Sequence, residues 1–257
     1  MRLTIAGAQL IACLCLGPGT AALAADLQPE AVTTAVLPAK PSPHTVWVGD
    51  MSFMRLADGR AYLVDGDKSR MLGMLSTGFG FVSVLLPRDG SAIYSPETYF
   101  SRGTRGTRTD VVVIYDPVHL APVGEIEIPA KRLSAMPMAN QAALTDDDRF
   151  LLIYNFTPAQ STTVVDTRER KFVTELDTAG CALVFPTGPR SFFSICADAT
   201  LLAVTLDDSG QLAGAMHSKP VFDREKDPIT EKGVRLGDTW YFTSYESYIY
   251  PIRSDAR

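Results

Sequence analysis

The chain has 257 residues, 46% hydrophobic and 21% charged, an ordinary globular composition with enough apolar material for a sizeable core. Its formal net charge of −5 argues against a nucleic-acid partner, which would require a basic face. After the N-terminus no second long apolar run follows, so no membrane span is expected in the rest of the chain.

At the N-terminus, Arg2 precedes an apolar stretch from Leu3 to Leu16, then small residues and Ala22-Leu23-Ala24. A charged start, an apolar middle and a small-x-small cleavage site read as a secretory signal peptide over residues 1–24, which predicts a periplasmic protein. Leu10-Ile11-Ala12-Cys13 offers a rival cleavage site of lipoprotein type. Residues 25–44 contain several prolines and few aromatics, and read as an extended lead-in. Of the four cysteines, Cys13 and Cys15 would leave with the signal peptide. Cys181 and Cys196 remain, an even pair in an oxidising compartment. They predict a disulfide, with two buried free thiols as the alternative.

From residue 45 to 257 the pattern is all-β. Short runs rich in Val, Ile, Tyr, Phe and Thr alternate with Gly, Asp and Pro clusters, as in Val111-Val112-Val113-Ile114-Tyr115 and Phe150-Leu151-Leu152-Ile153-Tyr154. The runs repeat. Strands ending at Asp65, Asp116, Asp166 and Asp207 recur at spacings of 51, 50 and 41 residues, most followed by a turn and another strand. Before most of them a turn leads into an apolar strand: Pro87-Arg88-Asp89-Gly90, Asp147-Asp148-Arg149, Gly188-Pro189-Arg190 and Leu236-Gly237-Asp238. A period of about 40–50 residues with several strands is the signature of β-propeller blades. The length leaves room for about four blades and part of a fifth, with residues 248–252 as an inner strand of the unfinished blade. A four-bladed ring closing on itself is the alternative.

Catalytic chemistry is sparse. His44, His119 and His217 are far apart in sequence and lack metal-ligand spacing. Asp146-Asp147-Asp148 lacks the glycine and glutamate of an EF-hand and reads as a β-turn. Residues 103–106 lack the Lys-Ser/Thr ending of a phosphate loop. Arg102, Arg105 and Arg108 would cap a hairpin or pair with nearby acids, with contact to a partner as the functional reading.

The strands also carry text that resembles the heavy chain of quinoprotein amine dehydrogenases. Tyr99-Phe100-Ser101-Arg102-Gly103-Thr104-Arg105-Gly106-Thr107-Arg108-Thr109-Asp110, followed by a strand and Asp116-Pro117, is similar to that family's arginine-rich hairpin. Gly180-Cys181 through Pro189-Arg190 to Ile195-Cys196 resembles its cysteine pair. Asp50-Met51-Ser52-Phe53-Met54 and Pro129-Ala130-Lys131-Arg132 match as well. The text is closer to the aromatic amine branch than to the methylamine branch. The resemblance implies a seven-bladed propeller, of which this chain would be a C-terminally truncated copy. It also implies a scaffold with no catalytic residue of its own. Tryptophan tryptophylquinone would sit on a partner light chain, in a heterotetramer of two heavy and two light chains. Primary amines would be deaminated oxidatively to aldehyde and ammonia, and electrons would pass to a blue copper protein. Phe53 sits in the context of the family's substrate-channel phenylalanine, with a blade-core aromatic as the other reading. A propeller serving only as an interaction platform is the alternative function.

Overall fold

A computed structural model of the chain describes residues 35–253; the expected signal peptide, with Cys13 and Cys15, lies outside the described residues. The described chain forms five antiparallel sheets that follow one another in sequence. Blade one holds β1 (Thr45–Gly49), β2 (Arg60–Asp65) and β3 (Arg70–Ser76). Blade two holds β4 (Ile93–Phe100), β5 (Arg108–Tyr115) and β6 (Pro122–Ile128). Blade three holds β7 (Ala142–Leu144), β8 (Phe150–Asn155), β9 (Ser161–Asp166) and β10 (Lys171–Asp177). Blade four holds β11 (Cys181–Pro186), β12 (Ser191–Cys196), β13 (Leu201–Leu206) and β14 (Leu212–His217). Blade five holds β15 (Val234–Leu236), β16 (Thr239–Thr243) and β17 (Ile249–Arg253).

The recurring aspartates explain the repeat. Each ends or directly follows the strand that leads into the last hairpin of its blade, and one carboxylate oxygen ties the turn that follows. Asp65 Oδ1 accepts the N–H groups of Asp67 and Lys68, both at 3.1 Å. Asp116 Oδ1 accepts those of Val118 and His119 at 3.0 and 2.6 Å, and Asp166 Oδ1 those of Arg168 and Glu169 at 2.9 Å. Asp207 Oδ1 accepts those of Ser209 and Gln211 at 2.8 and 2.9 Å. An Asp side chain that folds its own backbone into a turn is what a tight strand reversal requires.

Side-chain alternation then stacks the blades. In β8, Leu151 and Ile153 join Val112, Ile114 and Ile126 of blade two. On its other face, Phe150 and Leu152 join Val184, Phe192 and Val204 of blade four. Successive residues point to opposite faces, so a middle blade buries both, and β8 and β9 are buried at every position. Ala61, Leu75, Ile93, Val111 and Val113 form the seam between blades one and two. Phe185, Phe193, Trp240, Phe242 and Ile252 form the seam between four and five.

Residues 249–253 are the third strand of blade five rather than an inner strand. β17 pairs with β16, and the first-strand place belongs to β15. β15 escapes the sequence pattern because it is three residues long. β1 begins at Thr45, and before it Leu37 N–H donates to the carbonyl of Val118 at 3.0 Å. Among the described residues no helix is long and apolar enough to cross a membrane.

Candidate functional site

Every blade runs in the same sense, so the loops joining its second and third strand positions share one rim. These loops are residues 50–59, 101–107, 156–160, 197–200 and 244–248, with β1 taken as the second position of blade one because its partner β2, which ends at Asp65, corresponds to β5, β9 and β13. Phe53, the arginine hairpin and Cys196 all fall on or beside that rim. So do the exposed apolar side chains of Met51, Met54, Phe156, Tyr245 and Tyr248.

Phe53 begins a single 3-10 turn, Phe53–Arg55. It is 56% exposed, which removes the blade-core reading. Its ring stands edge-on to Phe81 with centroids 5.0 Å apart. Phe81 ends a segment, residues 77–81, that runs between blade one and residues 132–134. Gly80 donates to the carbonyl of Leu56 at 2.6 Å, Phe79 to that of Thr98 at 2.7 Å, and Phe81 to that of Ser134 at 2.8 Å. Gly80 has φ +94°, and a Cβ there would meet the Ser134 carbonyl oxygen at 2.1 Å, so only glycine fits. Phe79 in turn packs edge-on to Phe100, the last residue of β4 before the arginine hairpin. The two regions singled out in the sequence are thus joined by a relay of two ring pairs, linked through the backbone of residues 79–81.

Beneath the relay lies a buried ionic knot. The Arg132 guanidinium donates from Nη2 to the Phe79 carbonyl at 3.2 Å and from Nη1 to those of Phe81 and Leu133 at 3.3 and 3.2 Å. Its Nε donates to Thr98 Oγ1 at 2.8 Å. Asp110, wholly buried, accepts from Thr98 Oγ1 at 2.9 Å and from the Arg132 N–H at 3.1 Å. It also takes a two-pronged pair from Arg108, at 2.8 and 2.7 Å. Burial pushes the Arg132 pKa down to about 10. Glu97, also wholly buried, accepts from the Tyr99 hydroxyl and from the Tyr115 hydroxyl, the latter at 2.9 Å.

Burial raises the Glu97 pKa above the ordinary 4.5, and the two phenols and Arg132 offset this only in part. Its contribution to stability is therefore fully present below pH 4.5 and lost as the pH rises through the raised value. In urea unfolding at a series of pH values, Glu97→Gln should remove this part of the pH slope. An unchanged slope would mean that Glu97 titrates normally.

The three arginines divide. Arg108 turns inward to Asp110 and to the Arg132 carbonyl at 2.8 Å. Arg102 and Arg105 are exposed in the hairpin, and no carboxylate among the described residues pairs with either. Cys181 and Cys196 face each other across β11 and β12 and are joined as a disulfide. Asp146, Asp147 and Asp148 form the turn between β7 and β8. Arg235 grips Asp146, with one bond at 2.9 Å, Arg190 donates to Asp147 at 2.7 Å, and the Arg88 N–H donates to Asp148 at 2.8 Å. Trp240 is buried and donates from Nε1 to the Pro186 carbonyl at 2.8 Å, while Trp47 packs at the edge of the seam between blades one and two. Sequence reasoning missed the roles of Glu97, Asp110, Tyr115 and Arg132. Asp110 and Arg132 nonetheless stand inside two of the motifs that carried the resemblance.

Comparison with known proteins gives one family. Residues 43–251 match the model of the methylamine dehydrogenase heavy chain. The methylamine dehydrogenase heavy chain of Paracoccus versutus is 35% identical over 169 residues, 65% of this chain and 39% of the relative. That of Methylophilus methylotrophus is 29% identical over 231 residues, 89% of this chain and 54% of the relative. The chain thus spans about half the length, or less, of these curated relatives. Among solved structures, the Dos1 propeller superposes with a TM-score of 0.53 at 12% identity, covering 77% of this chain and 48% of that one, a likeness of fold alone.

Proposed function

The chain belongs to the methylamine dehydrogenase heavy chain family, and on that premise we propose that it is the scaffold subunit of a periplasmic amine dehydrogenase. The observation that carries this reading is the extent of the family match, which begins before β1 and ends within β17, so that it covers all five blades. The partner is a light chain bearing tryptophan tryptophylquinone, in a heterotetramer of two heavy and two light chains. The quinone supplies the redox chemistry that deaminates a primary amine to aldehyde and ammonia, and electrons leave to a blue copper protein. This chain supplies no acid, base or nucleophile. It shapes the approach to the partner's site.

Within this reading the rim with Phe53 faces the light chain. Phe53, Met51 and Met54 offer an apolar, partly exposed cluster, and large exposed apolar groups close together suit a protein or ligand contact. Arg102 and Arg105 stand beside it with their charge unspent inside the chain, available to carboxylates of the partner.

The test is co-expression of the full chain with a quinone-bearing light chain of the family, followed by isolation of the complex and assay of amine-dependent dye reduction. A stable complex that turns over a primary amine supports the scaffold reading. A chain that never captures the light chain overturns it and leaves a non-catalytic propeller platform. In an active complex, Phe53→Ala should change the ratio of kcat/KM between an arylalkylamine and methylamine about tenfold or more, while stability falls by less than about 1 kcal/mol, because the side chain is half in solvent. Unchanged amine preference would remove Phe53 from the channel.

A further inference from the structure

The densest set of thiophilic ligand atoms among the described residues lies at the blade-four end of the rim. The sulfurs of Cys181 and Cys196 and a ring nitrogen of His217 all lie within 4.8 Å of one another. His217 closes β14, and its Nδ1 is 3.9 Å from Cys196 Sγ. The cysteines are buried, whereas His217 is exposed and brings the cluster to the surface. As a disulfide the two sulfurs are poor ligands, since the thiolate is the metal-binding form.

We propose that reduction of the Cys181–Cys196 bond converts this cluster into a Cys2His site for a thiophilic d10 cation of the Zn2+ class. The reductant is a dithiol. It transfers two electrons and two protons, the S–S bond breaks, the dithiol becomes its own disulfide, and two cysteine thiols result. Metal entry then releases both thiol protons to solvent.

The geometry suits the ion. Metal–sulfur bonds of about 2.3 Å and metal–nitrogen bonds of about 2.0 Å in a tetrahedron place sulfur and nitrogen about 3.5 Å apart, a few tenths inside the distance now seen. The sulfurs themselves must move apart to roughly 3.8 Å. Rotation about Cα–Cβ can achieve this, because the two residues are directly opposed across the ladder. Thr200 Oγ1 donates to Asp198 Oδ1 at 2.7 Å and accepts from His217 Nδ1 at 3.1 Å, which sets the ring beside the sulfurs before metal entry. One ring nitrogen cannot both donate to Thr200 and bind a metal, so the ring proton moves to Nε2 as the ion takes Nδ1, and the Thr200 bond is given up. The fourth position is left to water. Two thiolates and an imidazole select Zn2+ or Cu+ over Mg2+ and Ca2+, which prefer all-oxygen ligands.

The test needs neither a light chain nor an amine, so it stands apart from the amine dehydrogenase reading. The full chain is reduced with a phosphine, which unlike a dithiol does not compete as a chelator, and titrated without oxygen with Co2+ as the optical probe. The expected result is thiolate-to-cobalt charge-transfer absorption with tetrahedral d–d bands at one ion per chain, displaced by Zn2+ and absent from the oxidised protein. His217→Ala, an exposed position, should keep the fold and weaken Co2+ binding by at least about tenfold, the loss typical of weakening a metal's coordination sphere. Three results would overturn the proposal: no thiolate–cobalt bands on reduction, equal affinity in the His217→Ala variant, or loss of the far-ultraviolet β signal when the disulfide is reduced.

Discussion

Replacing Arg132 with methionine is expected to lower the free energy of unfolding by about 3–5 kcal/mol, the range for breaking a buried charge pair from one side. Arg132 is 3% exposed, and desolvation of its cation is a cost that the folded state already bears. Its four hydrogen-bonding partners and the nearby carboxylates of Glu97 and Asp110 offset that cost. Methionine fills much of the volume but strands the carbonyls of Phe79 and Leu133, leaves that of Phe81 only a 3.5 Å bond from Gln141 Nε2, and deprives the buried carboxylates of Asp110 and Glu97 of its cation. Each stranded buried acceptor costs about 1–3 kcal/mol unless water reaches it. The measurement is a urea transition with the slope held equal to that of the parent. Adding Glu97→Gln to the variant should restore part of the loss, because one of the two surplus charges goes. A loss below about 1 kcal/mol would mean that the knot is already hydrated and that residues 77–81 hold their course without it.

Phe185→Ala should cost about 3–5 kcal/mol as well, by a different route. Phe185 is fully buried at the hub of the seam between blades four and five. Its ring stacks on Phe193 at 5.0 Å and meets Trp240 and Phe242 edge-on at 5.2 and 5.1 Å. Removing it opens a cavity bounded by three rings that other contacts hold in place, Trp240 among them through its bond to the Pro186 carbonyl. A site that cannot collapse forfeits both transfer energy and dispersion contacts. Chemical denaturation followed by tryptophan emission reads the effect close to the change. A cost under about 1.5 kcal/mol would imply that blade five shifts to fill the gap.

The blade repeat was legible because it rests on local chemistry. An aspartate at a strand end can fold the next turn wherever it occurs, and the alternation of apolar runs with turn residues needs no knowledge of neighbours. The opening strands were harder to read. β7 and β15 have three residues each, and in blade two that place is reduced to a bridge between Leu85 and Tyr94. Such segments are strands only because an adjacent blade presents an edge to them. The arginine-rich hairpin was visible as a motif, and the one local sign that separates Arg108, which turns inward, from Arg102 and Arg105, which do not, is Asp110 two residues on in the same strand. That division depends on Asp110, Thr98 and residue 132 arriving from three segments. The knot beneath Phe53 was invisible for the same reason, although residues 99–110 and 129–132 carried the text that led to the family.

The turn at residues 146–148 has a thermodynamic consequence. In a stack of repeats where each unit touches only the next, unfolding behaves as a one-dimensional lattice and can begin at an end and travel inward. Asp146 breaks that rule, because its partner Arg235 belongs to blade five while the aspartate belongs to blade three, so the bond passes over blade four. Arg88 of blade two and Arg190 of blade four reach the same turn. This adds next-nearest-neighbour coupling to the lattice, and blade five cannot melt without loosening a blade two places away. The coupling is ionic and partly open to solvent, so its strength falls with salt, and the width of the melting transition becomes a function of ionic strength.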